Sequence, residues 1–289
     1  MACDKLILLP PRLDGDIKAF VESHGRPSGR YPFHLDLSRT SRQLPVRLFC
    51  GGPLRAGVKV EILGVRTLGY RATCDLVSKL CGSDFSSIRV WRVDWCTDLL
   101  GVSASEVAEY CWVPNSQTVK LFHNRTGNSF YPTTSREKTI LIYDRGSYLR
   151  SKRKSVGGRE LPPSDLTRIE VQLVGEGIPF QSFDKLDRFR EIDVLAGVEF
   201  RKFRPIRPGL TTQQFLAAEA LQRRIATKGM QAALKDFPSS DVAYLISKYF
   251  RDAGPDDLPD IRDLMQDSIS MWLRDIRRFP RALRSRVNR

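Results

Sequence analysis

Ile88-Arg-Val-Trp-Arg92-Val-Asp94-Trp-Cys-Thr-Asp98 alternates apolar and polar side chains closely enough to read as a β-strand. In a strand, alternate side chains share a face, so Arg92, Asp94, Cys96 and Asp98 point one way and Trp91, Val93 and Trp95 the other. Two further stretches have the same character. Ile140-Leu-Ile-Tyr143-Asp144-Arg145 ends an apolar strand on a phenol, and Thr167-Arg168-Ile-Glu170-Val-Gln-Leu places Arg168, Glu170 and Gln172 opposite Ile169, Val171 and Leu173. Each sets charge in apolar company, where a bare charge is costly unless paired.

The rest of the chain extends this strand-rich reading. Phe33–Leu37, Val46–Phe49, Val58–Leu63 and Thr118–Phe122 are expected strands, with helices over Ala72–Leu80 and Ser103–Cys111, the latter opening on a Ser103/Glu106 capping box. Residues 1–30 read as an irregular, polar segment. Residues 31–204 then form an α+β domain with a largely antiparallel sheet and flanking helices. Arg201–Pro208 reads as a linker, and residues 205–289 as a helical, basic C-terminal region. There Thr211 and Gln214 form a second capping box, and Gly229 breaks the helix that follows. Val242, Leu245, Ile246, Tyr249 and Phe250 mark a buried stripe, and another helix starts after Pro259.

Composition favours a polyanionic partner. Lys+Arg number 47 against 33 Asp+Glu, a formal charge of +14, and such an excess draws nucleic acid toward the chain. The excess is concentrated. Tyr143–Arg159 holds six basic residues, among them Arg150, Lys152, Arg153 and Lys154, against Asp144 alone. Met271–Arg289 holds seven arginines, including Arg274, Arg277, Arg278, Arg281 and Arg284, against Asp275. These nine are the expected DNA contacts, and arginine's planar fork suits phosphate.

Other classes are disfavoured. No apolar run approaches the roughly 18 residues of a membrane span. Leu6–Pro10 is too short for a signal-peptide core, so a cytoplasmic location and no membrane partner are expected. The six cysteines show no CxxC pair and read as free, mostly core thiols. His24, His34 and His123 lie far apart, and no GxxxxGK[ST] loop exists, which argues against a histidine-chelated nuclease and an ATP motor.

The acids admit two readings. In one, Asp94 and Glu170, with Asp98 second, supply the hard oxygens that suit Mg²⁺ or Mn²⁺. Asp98 ranks second because four residues of strand separate it from Asp94 by about 13 Å. In the other, Arg92 and Arg168 neutralise the acids in a buried ladder. Tyr143 is likewise an amphipathic cap on the core or a phenol able to attack phosphorus, with Tyr148 as its competitor.

Taken in order, Arg92-x-Asp94-x-x-x-Asp98, Tyr143-Asp144-Arg145 and Arg168-x-Glu170 resemble the motifs of rolling-circle replication initiators of small Gram-positive plasmids and related phage and integrative-element proteins. The resemblance covers roughly residues 33–200 and implies a Rep-nuclease-like fold. It also implies an endonuclease and strand transferase: Tyr143 nicks one strand at a replication origin, Asp94 and Glu170 bind Mg²⁺ or Mn²⁺, and Arg145 and Arg168 assist. The 5′ phosphate would stay on the tyrosine while the 3′ hydroxyl primes a host polymerase. A host helicase and a homodimer belong to the same expectation. Arg145 stands where that family has Lys, and Arg125–Arg136 shows no clear match to the short glycine-containing strand expected before the tyrosine. Two rivals remain: an origin-binding or regulatory protein that does not cut, and a metal nuclease using water. The helical end with its arginine tail is read as the element for origin recognition or partner docking.

Overall fold

The strand around Asp94 exists and is longer than its alternating core: β6 runs from Arg89 to Leu100. The computed structural model describes residues 3–37, 46–52, 57–114, 120–124, 127–153, 165–204 and 211–274. The chain is a mixed α+β protein and divides into two units that interleave along the sequence. Unit 1 comprises residues 1–96, 172–194 and 265–280; unit 2 comprises 97–171, 195–264 and 281–289.

In unit 1 the strand order is β2 (Arg26–Ser28), β3 (Tyr31–Asp36), β4 (Val46–Cys50), β5 (Val58–Leu63), β1 (Cys3–Leu9) and β6. The pairings from β2 through to β6 are antiparallel. The first thirty residues are therefore not irregular. β1 lies between β5 and β6 as an interior strand, and Gly15–His24 forms α1, capped by the Asp14 carboxylate. Cys3-Asp-Lys-Leu-Ile-Leu-Leu9 hides its strand character because Leu6, Ile7, Leu8 and Leu9 are all buried, so alternation is lost. Helices α2 (Val65–Leu68) and α3 (Tyr70–Cys81) belong to the same unit, with α3 burying Thr73, Val77 and Leu80. So does a 3₁₀ segment over Phe183–Glu191 that buries Phe183, Leu186 and Phe189.

In unit 2 the end of β6 is followed in strand order by β11 (Leu166–Val174), β10 (Lys138–Asp144), β9 (Gly127–Thr134) and β8 (Lys120–Asn124). The expected capping box of α4 (Ala104–Tyr110) forms in full: Glu106 N–H donates to Ser103 Oγ, and Ser103 N–H donates to the Glu106 carboxylate. Strand β9 occupies the stretch where no strand was legible. It carries a register shift opposite Leu141, where Pro132, lacking an N–H, is tolerated. Arg145–Arg153, within the basic stretch after Tyr143, is helix α5.

A second, three-stranded sheet has the order β13 (Phe250–Asp252), β12 (Glu199–Phe203), β7 (Cys111–Trp112). Arg201–Phe203, read as linker, is thus strand, while residues 205–210 lie outside the described chain. Helices α6 (Thr212–Lys228), α7 (Met230–Leu234) and α8 (Ser239–Tyr249) share one apolar core with β13, built on Leu221, Ile225, Met230, Leu234, Ile246 and Phe250. Gly229 separates α6 from α7 with φ +80°, and an added Cβ would stand 3.0 Å from the Ala108 carbonyl oxygen. That position suits glycine on both counts. The last described helix, α9, spans Ile261–Leu273.

All six cysteines are free, with Cys3, Cys50, Cys96 and Cys111 buried. Among the described residues, no helix is long and apolar enough to cross a membrane.

Candidate functional site

Strand β10 buries Ile140 and Ile142 and leaves Tyr143 half-buried on the opposite face. Its partner β9 pairs Ile142 with Phe130 and Tyr143 with Ser129. One residue later the strand ends in a helix cap. The Asp144 carboxylate accepts the Ser147 N–H at 2.7 Å and the Ser147 hydroxyl at 2.6 Å, so α5 begins directly after the phenol. Tyr143 is therefore held between a paired strand and a capped helix, both of which fix its backbone.

Three side chains gather at this junction. The Tyr143 and Tyr148 rings meet edge to face, 6.2 Å apart at 80°. The Arg145 guanidinium lies 5.1 Å from the centre of the Tyr148 ring, a cation–π contact. Arg145 is only 7% exposed, and its Nε finds no hydrogen-bond partner among the described residues. Arg150 donates to the Ser147 hydroxyl at 2.8 Å. Lys152 and Arg153 lie in the last turn of α5. Lys154 lies outside the described residues, as do Arg277, Arg278, Arg281 and Arg284, whereas Arg274 follows the end of α9.

Strand β11 brings Arg168 to Asp98. Its guanidinium donates through Nε at 2.6 Å and Nη2 at 2.9 Å to the two carboxylate oxygens, in a pair whose arginine is fully buried. The adjoining ladder is fastened by Thr167 Oγ1 donating to the Val102 carbonyl at 2.6 Å and Gly101 N–H donating to the Asp165 carbonyl at 3.0 Å. Glu170 is buried on the same strand, and its charge, after burial itself, raises the phenol of Tyr131 above the ordinary tyrosine range. Tyr131 is a member of this group that the sequence reading passed over. It sits two residues from Ser129 in β9, on the face that carries Tyr143. The alternation of Phe130 and Tyr131 was its available signal.

In unit 1, Asp94 is 3% exposed and accepts two bonds from Arg92, Nε at 2.7 Å and Nη2 at 2.8 Å. Burial pushes its carboxyl above the ordinary aspartate range, against the pull of Arg92 and of Lys5. Lys5 is the residue that β1 sets opposite Asp94.

These pairs bear on the expected metal. Mg²⁺ or Mn²⁺ takes about six oxygen donors and strips little of its water. Both oxygens of Asp94 and both of Asp98 are taken by forked guanidinium bonds, and among the described residues no three His, Cys, Asp or Glu side chains stand close enough to hold an ion. The described donors, as arranged, do not fit such a cation. The buried arginine–carboxylate ladder is present for both aspartates.

No family model matches this chain. No curated protein matches it in sequence either. Among solved structures, it is similar to the rolling circle replication initiator protein from Geobacillus stearothermophilus, at 13% identity and a TM-score of 0.41, covering 76% of this chain and 96% of that one.

Proposed function

We propose that this protein is a DNA-nicking replication initiator in which Tyr143 is the nucleophile. The observation that carries this reading is the junction itself: a half-buried phenol at a strand end, fixed by a helix cap, against the Tyr148 ring over which a buried guanidinium lies, and at the start of a helix rich in Arg and Lys. In the step proposed, Tyr143 Oη attacks a backbone phosphorus. Its proton passes to solvent, the bond from phosphorus to the 3′ oxygen breaks, and that oxygen takes a proton from solvent and leaves as a 3′ hydroxyl. The 5′ phosphate stays on the tyrosine as an ester. Arg145 and Arg150 would hold the phosphate, Arg145 taking the place of a lysine point charge with a planar fork. The freed hydroxyl would then serve a host polymerase.

Mg²⁺ or Mn²⁺ at Asp94 and Glu170 is not part of this proposal, because both oxygens of Asp94 are bonded to Arg92.

A second reading rests on the same pairs. With Asp94 and Asp98 closed by arginines, the chain would bind an origin without cutting it.

One experiment separates them. Supercoiled DNA carrying the neighbouring genetic region is incubated with the protein and Mn²⁺, then resolved under denaturing conditions. The nicking reading expects a protein–DNA adduct that vanishes in Tyr143→Phe and persists in Tyr148→Phe. The reverse pattern moves the nucleophile to Tyr148. Cleavage without an adduct points to water as nucleophile, and salt-sensitive binding without cleavage in any metal establishes the binding-only reading.

A further inference from the structure

The three helices of unit 2 carry a feature separate from the tyrosine junction. Helix α7 is joined to α8 by four residues, Lys235–Pro238, and both helices seal against α6 through one core into which Phe237 of the connection also packs. Two helices on a shared core with so short a connection have the connectivity of a helix-turn-helix. α8 satisfies the core with Ile246 buried and Val242, Leu245 and Tyr249 half-buried. Its other side is not spent on the fold: Asp241, Ala243, Tyr244 and Ser247 are exposed, and Tyr244 shows 57% of its surface.

The charges around that side are unevenly matched. Arg224 and Lys228 share Asp236, at 3.6 and 3.7 Å. Lys235, exposed in the turn, meets no carboxylate among the described residues, and neither does Lys248 near the end of α8. The Lys248 ammonium instead donates to the Tyr244 hydroxyl at 2.8 Å and lies over the Tyr244 and Tyr249 rings. From Thr212 to Arg251 there are six basic residues against three acids, so the surface favours a polyanion over an acidic protein. Two cations that meet no carboxylate among the described residues thus bracket a helix face made of a small apolar side chain, a hydroxyl and a phenol, with Asp241 in its first turn as an acceptor able to take a cytosine amino group. Such groups reach thymine methyls and base edges, and a helix of about 10–12 Å diameter with its side chains fits a groove about 12 Å wide.

We propose that α7, the turn and α8 form a second DNA site that seats α8 in the major groove of duplex DNA, with Lys235 and Lys248 on the flanking phosphates. The site uses none of the residues of the nicking reading, so either can fail alone. It gives the chain a means of holding double-stranded sequence while another part of it acts on a single strand.

The test is fluorescence anisotropy on the full chain, carried in Tyr143→Phe so that no cleavage intervenes. The probes are a random-sequence 30-base-pair duplex pool and one strand of matched length. Lys235→Glu/Lys248→Glu is expected to weaken duplex binding at least tenfold and to lower the slope of log affinity against log salt by about two. Tyr244→Ala is expected to weaken duplex binding, and single-strand binding should stay within twofold in both variants. Lys185→Glu, an equal change of charge per site at an exposed position of unit 1, should move duplex affinity little. Unchanged duplex affinity in the double variant overturns the proposal. So does an equal loss on both probes, or an equal per-site loss in Lys185→Glu, since either reduces the effect to net charge. Lys185, Lys235 and Tyr244 are exposed and Lys248 is half-buried, and a thermal midpoint equal to the parent's shows that the variants fold.

Discussion

Two forked arginine–aspartate pairs begin from the same strand, four residues apart in sequence, and they differ in one respect. Arg168, which holds Asp98, is fully buried, whereas Arg92, which holds Asp94, keeps 27% of its side chain in contact with solvent. The bonds are of nearly the same length in both. What differs is what replaces the arginine when it leaves. Water can reach Asp94 along the path of Arg92, and Lys5 stands opposite. Asp98 would lose a partner that solvent does not reach. The first pair borders solvent; the second is part of the frame.

That contrast can be broken most severely at Arg168. Arg168→Ala should cost about 3–5 kcal/mol, the penalty of stranding a buried carboxylate, seen as a large drop in the urea midpoint of unit 2 signals. A loss under 1 kcal/mol would mean that water enters the site and the pairs are equivalent. Arg92→Ala is expected to cost only about 1–2 kcal/mol, measured by the same denaturation. A loss equal to that of Arg168→Ala would erase the distinction.

The smallest effect concerns pH. Burial raises the Asp94 carboxyl in the folded state, so the folded chain holds that proton more tightly than the unfolded one. Stability from this source is fully present below the unfolded value of about 3.9 and is lost as pH rises through the raised folded value. Glu61 behaves in the opposite sense. Burial alone would raise it, but the Lys59 hydrogen bond at 2.9 Å and the charges of Lys5 and Arg47 outweigh burial and hold its carboxyl below the usual range. Its contribution is present above the ordinary glutamate value and fades as pH falls through the lowered one. Asp94→Asn should therefore gain on the parent as pH rises from about 4, in thermal melts taken across that range. A constant difference between the two would show that Asp94 titrates normally.

How much of this was legible depended on whether a pattern was local. β6, β10 and β11 bury one face more than the other, so alternation announced them, and Ser103/Glu106 and Thr211/Gln214 announced their helices within four residues. β1 was missed because its second half is buried on both faces. β9 was masked by Gly127, Asn128 and Pro132, residues that argue against a strand until a register shift accommodates them. β12 looked like a linker because its pairing partner β13 follows almost fifty positions later. The site divides the same way. Tyr143 at a strand end could be read directly. That Arg168 would choose Asp98 in place of its neighbour Glu170 is a contact across 70 residues, and no local pattern encodes it.

Trp272 carries a final implication. It is nearly the last described residue, yet its ring meets Tyr70 at 5.4 Å and Trp95 at 5.6 Å, and its indole N–H donates to the Val65 carbonyl at 3.2 Å. Proteins leave the ribosome amino end first, so the aromatic slot formed by Val65, Tyr70 and Trp95 stays unfilled until Trp272 has been made. The strands around that slot exist as chain long before their packing can be completed.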